Sequence, residues 1–425
     1  MERRRAIMTA EIVVMNTSGI ALAADSAVTI GNDRKVYHSA NKLFVLSKHH
    51  PVGIMVYGTS SLFNVPWETL IKLFSKELND RVFDTLHEYV EAFINFLNQN
   101  KYEEFMSKNN EVSFIHDSLE FEINTIHKYL TNLKEDLYSE YGELYIQNEI
   151  QDLYIHHGGN FLRKRLYDLE EKEFIHVFDG HDFDLLFEKY GKEVEIFIHR
   201  QFEPHMFVEE WIDEIKFIVI HSLLKEFSDA KSGIVFAGFG EMEIYPSVIS
   251  FYVEGKINGK LKYHIIPKRT KRIDHSLIGT ILPFAQSDMV NSFITGTHIE
   301  IEKYAQFVLK KELEALSNGL TEQLKDTFKD DLDLETIEKT IETEILKTYH
   351  TFNKHLLLYQ RNHFIKPITN VVGTLPITEL AQMAEALLNI TSFKFKMSSS
   401  LETVGDPIDV AVITKGDGFT WVKRK

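Results

Sequence analysis

Strand-like segments stand at both ends and in the middle of this chain, and two long helical blocks separate them. Residues 9–62 alternate short apolar runs with turn residues. There "AEIVVMN", "GIALAADSAV", "NKLFVLS" and "VGIMVYG" read as four strands, broken at Thr17-Ser18-Gly19, Gly31-Asn32 and His49-His50-Pro51. Strands return at "SGIVFAGFG", "SVISFYVEGKINGKLKYHII" and "SLIGTIL". The last pair, "PIDVAVITK" and "GFTWVKRK", is joined by the hairpin signal Gly416-Asp417-Gly418. Residues 80–205 and 298–366 are instead charged, with apolar residues three and four apart. That is the period of a helix. Inside the first block "EVEIFIHR" alternates and reads as a short strand, and a helix starting near Thr378 has that residue as its cap.

Three separate groups of strands cannot each bury an apolar face alone, so the economical arrangement is one α/β core with two helical insertions. The division that follows takes 1–8 as a leader or misassigned start. It takes 9–79, 206–297 and 367–425 as parts of the core, and 80–205 and 298–366 as the insertions.

A formal charge of −16 argues against nucleic acid as a partner, because a duplex-binding surface must neutralise phosphates. The small basic clusters "PKRTKR" and "VKRK" read as solvated faces. The absence of cysteine excludes disulfides, thiol nucleophiles and thiolate metal sites. No apolar run approaches the roughly 20 residues of a membrane span, and "MERRRAIM" lacks the apolar core of a signal peptide. The expectation is a cytoplasmic protein without membrane contact.

Most motif-like stretches carry no chemistry. "GFGE" at 238–241 lacks the third glycine of a dinucleotide loop and reads as a turn. His156-His157 has no HExxH or carboxylate cluster beside it and reads as a surface pair. "GTSS" at 58–61 is not surrounded by a nucleophile elbow. No metal and no organic cofactor is implied.

The first strands differ. "TAEIVVMNTSGIALAADSAVTIGN", followed by "NKLFVL" and "GIMVYGTSSLF", resembles the proteasome β-subunits and bacterial HslV, members of the N-terminal nucleophile (Ntn) hydrolases. The positions that carry the likeness are Thr9, Gly19, Asp25, Ser26, Thr29, Lys42 and Gly58, with the lysine shifted by one residue. "SGIVFAGFGEMEIYPSVISFYVEG", "GTILPFAQ" and "VGDPIDVAVITKGDGFTWV" resemble later parts of the family. The helical blocks have no counterpart there. Tyr57 replaces a glycine of the family's turn, Val404 and Leu401 replace polar residues of proteasome subunits, and Met8 replaces the glycine usual before a self-cleaved threonine.

The resemblance implies a four-layer αββα sandwich with two large helical insertions and a threonine-type peptidase. A threonine hydroxyl needs a base to become a nucleophile. The family uses the threonine's own α-amine, whose unperturbed pKa is about 7.7–8.0. Lys42 would keep that amine neutral and Asp25 would hold Lys42. Backbone N–H groups at Tyr57 and Gly58 would receive the oxyanion, and Thr280 would hydrogen-bond the amine. Thr9 must then be N-terminal. "ERRR" can be encoded by a ribosome-binding purine run, so translation is expected to start at Met8, which is then removed. The implied partners are a peptide or protein substrate, a separate ATPase or other protein, and further copies of the chain. Two alternatives stay open: an amidase on a non-peptide substrate, and a non-catalytic scaffold that binds a protein through its helical insertions.

Overall fold

The computed structural model describes residues 10–26, 28–30, 35–37, 41–46, 50–99, 108–141, 147–202, 208–327, 334–397 and 407–425. Thr9, Leu401 and Val404 lie outside them. The first strands are β1 (Ala10–Asn16), β2 (Gly19–Asp25), β3 (Val28–Ile30), β4 (Lys35–Tyr37), β5 (Leu43–Val45), β6 (Val52–Gly58), β7 (Ser61–Leu62) and β8 (Val65–Pro66). Helices α1 (Trp67–Leu78), α2 (Leu86–Asn98), α3 (Lys108–Tyr141), α4 (Gln147–Glu170), α5 (Gly180–Gln201) and α6 (Trp211–Lys225) follow. Then come β9 (Ser232–Gly238), β10 (Ser247–Ile257), β11 (Lys260–Ile265), β12 (Lys271–Arg272) and β13 (Gly279–Ala285). The chain ends with α7 (Asp288–Thr295), α8 (Ile299–Thr327), α9 (Leu334–Gln360), α10 (Lys366–Thr374), α11 (Ile377–Lys396), β14 (Ile408–Thr414) and β15 (Gly418–Lys423).

Two compact units form. The first holds Ile54–Phe236 and Val248–Lys271; the second holds the described residues up to Gly53, Ala237–Ser247 and Arg272–Lys425. In the second unit a sheet runs β13-β1-β2-β14-β15, each neighbouring pair antiparallel. Every residue of β1 and β2 is buried. Strands dry on both faces read as continuous apolar runs rather than alternating ones, which is the texture of these two segments. Leu380, Ala384 and Leu388 of α11 pack against Ile12, Val14, Ala21, Ala23 and Val410. Each buried Leu, Ile or Val side chain among these contributes about 1.5–3 kcal/mol.

Polar groups in this core are satisfied locally. Asn16 Nδ2 donates to the carbonyls of Val372 and Leu375 at 2.7 and 2.8 Å, while its Oδ1 accepts from Ser18 N at 2.8 Å. One amide therefore pins the β1–β2 turn to the end of α10. Gly19 has φ +151°, and a Cβ there would lie 2.4 Å from the carbonyl oxygen of Ile413, so the close approach of β2 to β14 requires glycine. Helix α11 does not use Thr378 as its cap. It begins at Ile377, and the Pro376 carbonyl accepts from Glu379 N at 3.0 Å and Leu380 N at 3.1 Å. The extended backbone of Pro376, fixed near φ −62°, starts the helix two residues earlier.

In the first unit β11, β10, β9 and β6 lie side by side in that order. Asn258 and Gly259, with φ +50° and +74°, make the tight β10–β11 turn. Helices α3, α4, α5 and α6 enclose a separate core that includes Ile123, Leu130, Tyr154, Val194 and Ile218. The strand expected at "EVEIFIHR" is helix instead, the C-terminal part of α5. Asp179 starts that helix with a full capping box, and Leu186, Tyr190, Val194 and Ile198 form a buried stripe four residues apart. Ile196, which made the local alternation look strand-like, is 65% exposed. Tertiary burial of the four-residue period outweighs the β-branched local preference.

The chain is thus a mixed α/β fold with antiparallel sheets. Among the described residues no helix is long and apolar enough to cross a membrane.

Candidate active site

The β1–β2 register places Glu11 opposite Ala24, which brings Asp25 to the beginning of β1. Asp25 Oδ1 accepts the backbone N–H of Ala10 at 3.0 Å and the ammonium of Lys42 at 2.5 Å. Lys42, just before β5, also lies 3.4 Å from Glu11 Oε1. The three side chains are 6%, 0% and 1% exposed for Lys42, Glu11 and Asp25. A buried ammonium between two buried carboxylates is an expensive arrangement unless the charges stay paired, since desolvation costs several kcal/mol per ion. It also fixes one ammonium and two carboxylates in a dry region, where fields act strongly.

Glu11 was not among the sequence-based candidates. The signal was present: it is the one charged residue in "AEIVVMN", a strand otherwise apolar up to its final asparagine. A charge that a buried strand retains must be paired.

Thr9 lies outside the described residues, but its carbonyl carbon is covalently bound to the Ala10 nitrogen that donates to Asp25. Thr29 is on β3, paired in register with Val36.

Thr280 requires a correction. It is in β13, paired with Met15, whereas Ala10 pairs with Ala285. Five residues along a strand span about 17 Å, so Thr280 stands far from the Ala10 end of β1, where the expected role would need it. The "GTILPFAQ" segment is strand through Ala285, and the turn into a helix comes only afterwards. Ala285 has φ +53°, and Ser287 takes the N-cap position of α7 without a side-chain cap bond. Ser287, two residues beyond the Ala285 that pairs with Ala10, was not among the sequence-based candidates, because strand register is not a local property.

Tyr57 and Gly58 belong to the first unit, at the end of β6. Gly58 has φ +78°, and a Cβ on it would lie 2.5 Å from the Lys231 carbonyl oxygen, so this turn excludes a side chain. The Tyr57 hydroxyl accepts from Arg269 Nη1 at 3.1 Å. Burial, with Tyr252 adding to it against the opposing charge of Arg269, holds the Tyr57 phenol well above its ordinary pKa. The tyrosine side chain is a neutral packing group there.

No family model matches the chain, and no curated protein matches it. Among solved structures, an Anbu (Gly-1) mutant from Hyphomicrobium sp. strain MC1 aligns at 8% identity, covering 98% of this chain and 86% of that one, with TM-score 0.32. Anbu (ancestral beta-subunit) from Yersinia bercovieri aligns at 9% identity, covering 98% and 88%, with TM-score 0.30. The likeness is distant. Membership in the proteasome β-subunit and HslV family, expected from the first strands, therefore does not stand: identity of 8–9% and TM-scores near 0.3 establish neither family nor fold. The physical reason for the overreading is that continuous apolar strands around a turn mark any hairpin dry on both faces.

The His156-His157 rings sit 5.4 Å apart, with His156 Nε2 3.0 Å from Asn160 Nδ2. Among the described residues no group of three or more His, Asp and Glu side chains is placed to hold a metal ion. "GFGE" leads into a turn in which Glu243 Oε2 accepts the N–H of Gly240 at 2.9 Å.

Proposed function

We propose that the chain is a hydrolase, a threonine-type peptidase, whose nucleophile is the Thr9 hydroxyl and whose base is the free α-amine of Thr9. The observation that supports it most is the shared oxygen of Asp25, which holds both Lys42 and the backbone nitrogen next to Thr9. In this reading the amine takes the hydroxyl proton through a water while Oγ attacks a substrate carbonyl carbon. The Lys42 charge disfavours protonation of the amine, and Asp25 with Glu11 fixes Lys42. Backbone N–H groups receive the oxyanion, and the role of hydrogen-bonding the amine passes from Thr280 to Ser287. Collapse of the intermediate gives an acyl-Thr9 ester and an amine product, and water then releases the acid.

The four-layer αββα arrangement belongs to the same proposal, as do a peptide or protein substrate and self-association of the chain. Apolar residues exposed on α8, with Ile301, Tyr304 and Phe307 at 64%, 69% and 62%, support a protein partner. The decisive experiment is intact-mass analysis of protein translated from Met8, followed by reaction with a peptide epoxyketone. Protein beginning at Thr9 should gain one adduct, absent from Thr9→Ala. A Thr9-terminal protein that neither forms the adduct nor cleaves a peptide library refutes the proposal.

A further inference from the structure

β15 ends at Lys423, which pairs with Val410, and the β14–β15 register shifts between Val410 and Ala411. Two residues later the chain still lies beside β14. The backbone nitrogen of Lys425 donates to Asp409 Oδ1 at 2.8 Å, and its ammonium lies 3.7 Å from Asp409 Oδ2. The same ammonium donates to Ser26 Oγ at 3.1 Å. Ser26 directly follows Asp25, and Asp409 pairs in the β2–β14 register with Ala24. An ordinary surface ion pair would leave both partners wet, yet the two side chains are 17% and 6% exposed. Held by backbone, carboxylate and hydroxyl together, Lys425 has little freedom to be elsewhere.

The charged groups around Lys425 come from three directions. Asp409 stands on β14, Asp25 on β2 and Lys42 before β5. Glu11 of β1 faces Lys42 in turn. Burial lowers the pKa of Lys425 first of all; the carboxylate of Asp409 opposes that, and the charge of Lys42 adds to it. Lys425 thus senses both members of the Asp25–Lys42 pair.

We propose that Lys425 is a positioning residue of the candidate site: it clamps Ser26 and Asp409 beside Asp25 and supplies a second positive charge next to that of Lys42. This rests on reading Asp25 and Lys42 as the groups that govern the Thr9 amine. Nearby positive charge favours the neutral form of an amine, so removing it raises the amine's pKa.

The test measures that amine without relying on turnover. Protein beginning at Thr9 is pulse-labelled with acetic anhydride across pH, and acetylation of the N-terminal peptide is followed by mass spectrometry. In Lys425→Met the labelling rate below the amine's pKa should fall about threefold or more, and in Lys425→Arg it should return towards the parent value. If Lys425→Met does not fold, Lys425→Gln and Ser26→Ala give the same comparison, the latter with a smaller fall. Identical profiles in the parent and the neutral variants would overturn the proposal, as would an arginine variant as slow as methionine. A shifted amine in a protein with no hydrolase activity would sink the hydrolase reading and leave this inference standing. Hydrolysis with an amine indifferent to Lys425 would do the reverse.

Discussion

Lys42 Nζ lies 2.5 Å from Asp25 Oδ1, and the two side chains are only 6% and 1% exposed. This pair holds the start of β1, through the Ala10 N–H that Asp25 accepts, and it is also a structural commitment. Neither charge can be removed without leaving the other buried.

Lys42→Met should therefore destabilise the protein as well as inactivate it. Losing one member of a buried ion pair costs about 3–5 kcal/mol, more here if both Glu11 and Asp25 are left facing the gap. Urea titration monitored by circular dichroism reads the stability, and the epoxyketone adduct reads the site. A variant as stable as the parent would show that the carboxylates find other partners.

The β1–β13 register makes opposite predictions for two hydroxyls. With Thr280 opposite Met15 and Ala285 opposite Ala10, Thr280→Ala should leave the rate of Thr9 adduct formation within about twofold. Ser287→Ala should slow it by about tenfold or more. Equal effects of the two substitutions would mean that Ser287 has no part in the site.

Acid should weaken the first unit in two separate windows. Burial, reinforced by the charge of Lys225, lowers His221 to about 4, its ring stacked 4.3 Å from that of Phe183. The unfolded histidine, near pKa ~6.5, takes up its proton first, so stability falls as pH drops from about 6.5 through 4. Burial acts to raise Glu226, but hydrogen bonds from Arg165 and Lys172 outweigh it and hold the carboxyl at about 2. Its contribution is present above about pH 4.3 and is lost as pH falls towards 2. Each window is worth roughly 1–3 kcal/mol after allowance for partial solvation. Urea midpoints measured against pH should lose the upper step in His221→Phe and the lower one in Glu226→Gln.

Self-association should depend on α8. Ile301, Tyr304 and Phe307 follow one another three residues apart and are all more than half exposed. Light scattering of the full chain should give twice the chain mass, and Ile301→Ser with Phe307→Ser should raise the dissociation constant about tenfold or more. A monomer at high concentration, or a large closed particle unaffected by the double variant, would contradict this.

The texture of β1 and β2, the long helical blocks, the β14–β15 hairpin and the presence of Asp25 and Lys42 in neighbouring segments can all be read from the order of residues. Those features are local: apolar period, turn chemistry and residue type act over a few residues. That "EVEIFIHR" is helix follows from packing, because its buried stripe faces the helical core shared with α3 and α6 and overrides its own alternation. Packing also sets which residue of β13 meets Ala10, since strand register follows from contacts along a whole sheet and one changed pairing moves every side chain. The meeting of Lys425 with Ser26, 399 residues apart, was likewise invisible in the order of residues. Contacts of that separation are set by how β14 and β15 join the sheet, and a linear sequence states only which charges exist, not which of them share a dry space.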